Sequence, residues 1–283
     1  MDQRIIKLYD EYTHTPLSRQ EFLQRLALLT GGTAAAMAIL PLIEVNYAQA
    51  SVTKSDDLFT ERITYAGVNG DMQAYLARPK EEKKYAAIVV IHENRGLNAH
   101  IEDVTRRVAN AGYLTIAPNA LSPFGGTPAN EEDARAKFQQ LEQNESLQNF
   151  MMAFDYLATR KDCTGTWGCV GFCWGGAMAN ELATNVPSLK ATVAFYGRQP
   201  MEDDVARIKA AVQLHYGSLD ERINAGIAAY KEALNKYKIR YEIYLYEGAN
   251  HAFFNDTAPT RYDETAARLA WQRTLEFFKT YLK

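Results

Sequence analysis

The sequence predicts an α/β domain, a largely parallel sheet with helices on both faces. Two patterns lead there. From residue 85 onward, short continuously apolar runs alternate with longer stretches of helical period, as expected for strands buried on both faces and joined through crossover helices. Ahead of them, apolar runs at 63–66 and 72–77 flank Asn69-Gly70, a hairpin signal that places two antiparallel strands first. The composition agrees: 47% hydrophobic and 23% charged residues describe an ordinary globular chain able to bury a full core.

The first fifty residues stand apart from the domain at 51–283. Residues 26–43, LALLTGGTAAAMAILPLI, carry no charge, and eighteen such residues just reach the length of a membrane span, although Pro41 interrupts them. Downstream, Ala48-Gln49-Ala50 has the form of a signal-peptide cleavage site. Ser18-Arg19-Gln20-Glu21-Phe22-Leu23 resembles a twin-arginine export signal with Gln at the second Arg. Against export, Arg4, Lys7, Arg19 and Arg25 are balanced by Asp2, Asp10, Glu11 and Glu21, where a leader should be positive. Two readings therefore stand. One is an export signal, with a periplasmic domain. The other is a retained helical segment of a cytoplasmic protein, with helices at 3–12 and 18–39. The second helix opens on a capping box, Ser18 with Glu21. Such helices would pack on the body or on a second copy in a homodimer, or 26–43 would meet a membrane.

Within the domain, 51–60 reads as a polar linker before the hairpin. Residues 86–92 form an apolar strand, 101–111 a helix, and 113–117 a strand that stops at Pro118. The region 129–160 holds one or two helices. A strand at 166–171 leads into a helix at 177–185. Strands follow at 191–196 and 211–216, then a helix at 223–236, a strand at 241–246 and a closing helix at 265–282. The charge of −3 argues against a dedicated nucleic-acid binder, which would carry a basic stripe. Three cysteines, Cys163, Cys169 and Cys173, make a poor disulfide framework and lack zinc-site spacing.

In sheets of this kind, ligands bind beyond the carboxyl ends of the strands. After the strand at 166–171 comes Gly171-Phe172-Cys173-Trp174-Gly175-Gly176, a G-x-C-x-G corner between strand and helix. The corner residue is strained, and its neighbours two positions away must be small. A thiol there sits at a helix N-terminus, which favours thiolate, and the backbone N–H of Trp174 can face a developing oxyanion. Cys169 reads as core. Of five histidines, only His251 lies in a loop after a strand downstream of Cys173. Asp220 is the first acid past the strand at 211–216 and can orient that imidazole, or simply cap the helix that follows. His215 reads as a bonded core residue, and His14 and His100 show no partner pattern. The order Cys173, Asp220, His251 is the nucleophile–acid–histidine order of the α/β-hydrolase fold.

These pieces resemble the dienelactone hydrolase (carboxymethylenebutenolidase) family over roughly residues 60–283. The resemblance rests on His92-Glu93-Asn94-Arg95-Gly96, the Cys173 corner, Asp220, His251 with Phe253, Arg261-Tyr262, and the run 270–275. The N-terminal extension is similar to that of a bacterial subgroup. The resemblance implies a Cys-His-Asp hydrolase of small lactones or esters, with an acyl-enzyme on Cys173 and no metal or organic cofactor. It also implies that Glu93 accepts a hydrogen bond from the resting thiol, and that Asn94 supplies the second oxyanion N–H beside Trp174. A carboxylate beside a thiol disfavours thiolate, so the proposed resting state is physically sound. One position departs: four residues after His251, where family members place a carboxylate-gripping Arg, stands Asn255. Arg95, Arg198 and Arg222 lie past strand ends and are candidates for that task. Phe253, Trp174 and Tyr196 would line the pocket or pack the core. Two further functions stay open: a broad carboxylesterase or thioesterase, and a non-catalytic binding or redox-sensing module.

Overall fold

A computed structural model describes residues 1–45 and 53–283; the Ala48-Gln49-Ala50 motif lies outside them. Eight strands form one sheet in the order β1-β2-β4-β3-β5-β6-β7-β8. The hairpin β1 (Leu58–Gly67) and β2 (Gly70–Pro79) turns one residue earlier than expected, at Val68-Asn69, with Gly67 opposite Gly70. β2 runs antiparallel to β4 (Leu114–Pro118). From β4 on, through β3 (Tyr85–Ile91), β5 (Cys163–Phe172), β6 (Ala191–Phe195), β7 (Ala211–Gly217) and β8 (Tyr241–Tyr246), every pairing is parallel. The continuous apolar runs are the inner strands: β4, β6 and β7 are buried at every position. Two cores follow, one on each face of the sheet. This is the α/β-hydrolase fold.

Three helices precede the sheet: α1 (Gln3–His14), α2 (Arg19–Thr30) and α3 (Thr33–Ile43). Ser18 caps α2 as its sequence predicts, accepting from the N–H of Glu21 at 3.2 Å. The single helix expected over 18–39 breaks at Gly31-Gly32, where φ reaches 82° and 150°. Glycine at the αL position ends a helix without a Cβ penalty, and α2 and α3 meet at 109°. Among the described residues no single helix is long and apolar enough to cross a membrane. The three helices share a small core around Tyr9, Tyr12, Phe22, Leu26 and Leu40. Other bounds shift as well. Residues 58–60, expected in the linker, already pair in β1. The helix expected over 223–236 divides into α9 (Glu221–Asn224) and α10 (Ile227–Lys236) around Gly226.

The remaining helices are α4 (Ala99–Asn110), α5 (Glu131–Phe138), α6 (Gln143–Thr159), α7 (Trp174–Asn185), α8 (Glu202–Val205) and α11 (Glu264–Tyr281). Of these, α5 anchors the N-terminal segment. Arg135 donates from Nη2 to the carbonyls of Tyr12, Thr15 and Leu17 at 2.8, 3.1 and 2.9 Å, and its guanidinium lies 4.2 Å from the centre of the Tyr12 ring. A cation on the orphan carbonyls at a helix C-terminus satisfies both their hydrogen bonding and the helix dipole. Arg222 meets Asp10 at 3.4 Å and Arg261 lies over Tyr9. Thus α1 is docked on the body, over the ends of the strands.

Candidate active site

Cys173 joins β5 to α7 with φ 58° and ψ −115°. A β-carbon at Gly171 would stand 1.8 Å from the Gly175 carbonyl oxygen, and one at Gly175 would stand 2.3 Å from that of Ile91. Both glycines are therefore obligatory for this corner. Tyr196 and Ala252 also carry positive φ, 39° and 63°. Conformations of this kind cost about 1–3 kcal/mol each and gather where function demands them. Cys173 and Tyr196 border one cavity, and Cys173 and Ala252 a second, smaller one.

His251 arrives from the loop after β8, and Asp220 from the end of β7. His251 Nδ1 lies 2.6 Å from Asp220 Oδ2, with both side chains almost fully buried. The other carboxylate oxygen of Asp220 accepts from the N–H of Ile223 at 3.3 Å, so the capping role and the orienting role coexist. His251 Nε2 is buried and has no hydrogen-bond partner among the described residues. Trp174, first residue of α7, has an N–H with no intrahelical acceptor. The N–H of Asn94 likewise bonds no backbone carbonyl among the described residues. A cavity of ≈ 300 Å³ opens beside these groups, lined among others by Asn94, Arg95, Trp174, Arg198 and Arg222.

The other expected residues are placed as follows. Glu93 does not pair with the thiol: its Oε2 accepts from Asn255 Nδ2 at 2.7 Å and its Oε1 from the Tyr196 hydroxyl at 3.4 Å. The Asn255 carbonyl accepts from the Thr257 N–H and hydroxyl at 3.0 and 2.6 Å. Both ends of the Asn255 amide are thus engaged, and the residue braces Glu93 rather than facing substrate. Burial and Glu93 push the Tyr196 hydroxyl well above its ordinary pKa, so it donates. Arg95 is buried and donates to the main-chain and side-chain oxygens of Asn94. Arg222 holds Asp10, and Arg198 is exposed at the cavity rim. Phe253 is fully buried against Phe195, Tyr196 and Tyr246; it packs the core. His215 bonds Tyr246 and Gln213 in the core.

The side chain on the thiol is His14, which the sequence reading passed over. Its Nε2 lies 3.1 Å from Cys173 Sγ. Its Nδ1 faces the main-chain oxygen of Asp10 at 2.8 Å and the Asp10 carboxylate at 3.1 Å. Burial alone would lower the His14 pKa, but its contacts with Cys173 and the Asp10 carboxylate outweigh it and raise the value. Burial would likewise raise Asp10, yet His251 and His14 hold that carboxyl well below its usual range. The signal was present: Asp10 and His14 are four apart, on one face of a helix. The two imidazoles, 4.7 Å apart and edge to face, flank one sulfur. Among the described residues, His14, Cys173 and His251 are also the group whose ligand atoms, within 4.8 Å of one another, a cation could share.

Comparison with known proteins identifies the family. The model of the dienelactone hydrolase family matches residues 72–282. The chain belongs to the dienelactone hydrolase family. It is a hydrolase. A Synechocystis relative named as a candidate carboxymethylenebutenolidase is 32% identical over 245 residues, 80% of this chain and 99% of the relative. A relative of the same name from Methylorubrum extorquens is 30% identical over 284 residues, 94% of this chain and 96% of its own. That alignment reaches into the N-terminal extension, which the family model leaves out. The crystal structure of a candidate dienelactone hydrolase from Klebsiella pneumoniae superposes with a TM-score of 0.72 at 28% identity, covering 79% of this chain and 99% of the other.

Proposed function

We propose that the protein hydrolyses small lactones or esters through an acyl-enzyme on Cys173. The observation that carries this reading is the 2.6 Å contact of His251 with Asp220 beside a cysteine on a strained strand-to-helix corner. The thiolate attacks the carbonyl carbon, and the N–H groups of Asn94 and Trp174 hold the oxyanion. The alcohol leaves with a proton, and water then cleaves the thioester to release the acid and restore the thiol. Asp220 fixes the Nδ1–H tautomer of His251, leaving Nε2 as the base. The cavity of ≈ 300 Å³ sits at the lower end of small-molecule sites.

A second reading, preference for neutral esters, is favoured by the commitment of Asn255 to Glu93, since that position offers substrate no cation. Arg95 and Arg198 at the cavity favour an anionic lactone. Hydrolysis of a carboxylate-bearing unsaturated lactone, a neutral lactone and an aryl acetate, by wild type and Cys173→Ala, separates them. Turnover lost in Cys173→Ala and led by the anionic lactone supports the first reading, and turnover led by neutral esters the second. Turnover that survives Cys173→Ala overturns both.

A further inference from the structure

The nucleophile is flanked by two imidazoles, and the one in hydrogen-bond contact with it comes from the N-terminal helix. His14 Nε2 is 3.1 Å from Cys173 Sγ, within reach of a thiol proton. Its Nδ1 faces only oxygen acceptors: the Asp10 carbonyl and carboxylate, and the Thr13 hydroxyl at 3.0 Å. A neutral ring in that setting protonates Nδ1 and presents the Nε2 lone pair to sulfur. This repeats, on an unrelated part of the chain, what Asp220 does for His251. Meanwhile Glu93, the other candidate partner of the thiol, is turned toward Asn255 and Tyr196.

The segment that carries His14 is built into the site. Arg135 grips three carbonyls at its end, Asn94 Nδ2 donates to the Thr13 carbonyl at 2.8 Å, and Arg222 holds Asp10. It leaves room for substrate: Thr13 and His14 form one wall of the ≈ 300 Å³ cavity that reaches Cys173. A plug would have filled that space.

The geometry points to a division of labour between two dyads, with His14 a further catalytic residue and Asp10 its positioning residue. This inference rests on the acyl-enzyme reading above. In acylation, His14 Nε2 takes the Cys173 proton as sulfur bonds the carbonyl carbon. When the carbon–oxygen bond to the leaving group breaks, the same proton passes to the departing alkoxide. In deacylation, His251 Nε2 takes a proton from water as the hydroxide oxygen bonds the acyl carbon. The carbon–sulfur bond breaks and that proton returns to sulfur, which regenerates the thiol and closes the cycle. His251 Nε2, buried and without a partner among the described residues, carries no competing hydrogen bond.

Stopped-flow hydrolysis of p-nitrophenyl acetate by the full-length protein separates the two steps: the nitrophenolate burst reports acylation, and decay of the preformed acyl-enzyme reports deacylation. In His14→Gln the burst should slow by about 100-fold or more, with deacylation within about threefold of wild type. In His251→Gln the burst should persist for one turnover and deacylation should slow by a similar factor. Asp10→Asn keeps the helix and His14 in place and should slow the burst by about 10-fold while sparing deacylation. Three results would overturn the division: a burst in His14→Gln as fast as wild type or faster, the two steps slowing equally in both His14→Gln and Asp10→Asn, or loss of the burst in His251→Gln. Cys173→Ala distinguishes the levels. Turnover surviving there removes the acyl-enzyme reading itself, whereas an inactive Cys173→Ala with an unaltered His14→Gln removes only the role of His14.

Discussion

Replacing Asp220 by Asn separates electrostatics from structure at the His251 dyad. The carboxylate has two bonds, to His251 Nδ1 at 2.6 Å and to the N–H of Ile223 at 3.3 Å. Asn caps a helix as well as Asp does, so α9 keeps its cap, and the volume hardly changes. What disappears is a negative charge beside the imidazolium that the proposed mechanism forms on His251. With charge centres about 4 Å apart and an effective dielectric constant of about 20, that attraction is about 4 kcal/mol. At about 1.4 kcal/mol per decade, the step that forms the His251 imidazolium should slow about 1,000-fold. An amide that turns its NH2 toward Nδ1 also selects the wrong tautomer and adds to the loss. Steady-state hydrolysis of an aryl acetate, with thermal unfolding on the same preparation, measures both effects. The expected outcome is a collapse of kcat with Tm within a few degrees of wild type. A kcat within about fivefold of wild type would refute the assignment of Asp220 as orienter.

Three other outcomes follow from the packing. Gly171→Ala should abolish soluble protein, because its β-carbon would sit 1.8 Å from a main-chain oxygen that no rotamer change can move; normal yield and Tm would disprove the corner as described. Arg135→Ala should leave the carbonyls of Tyr12, Thr15 and Leu17 without their buried donor, at a cost of about 3 kcal/mol or more. Hydrogen exchange at residues 3–14 should then speed up about 100-fold while the sheet stays protected, and unchanged exchange would contradict the docking of α1. Acid should destabilise the protein. Burial lowers His92 to about 4 and His215 to about 3. The unfolded chain therefore binds more protons below about pH 6.5, and stability, complete above that pH, is lost as pH falls toward 4. Unfolding at pH 7, 6, 5 and 4 should show Tm falling throughout, and a flat profile would exclude neutral burial of these rings.

Much of the site was legible because its demands are local. Gly171, Gly175 and Gly176 surround Cys173 in sequence because the strand-to-helix corner leaves no space for side chains. Asp220 and His251 stand out because each follows an apolar strand that ends at the same edge of the sheet. Helix continuity was legible only in part. The run 18–39 has helical composition on either side of Gly31-Gly32, and that pair breaks it and turns α3 back on α2.

By itself the sequence determined the alternation of buried strands and helices, the strand-to-helix corner at Cys173 and the order Cys173, Asp220, His251, since each depends on periodicity or on neighbours a few residues apart. Only the tertiary structure decided which groups those residues meet. His14 is 159 positions from the sulfur it touches, Asn255 is 162 from the Glu93 it holds, and Arg135 is more than 115 from each of the carbonyls that seat α1. No local pattern encodes such pairings. They arise because burial of α1 against the strand ends brings polar groups together where each must find a partner, and the partner that the thiol finds is an imidazole from outside the domain.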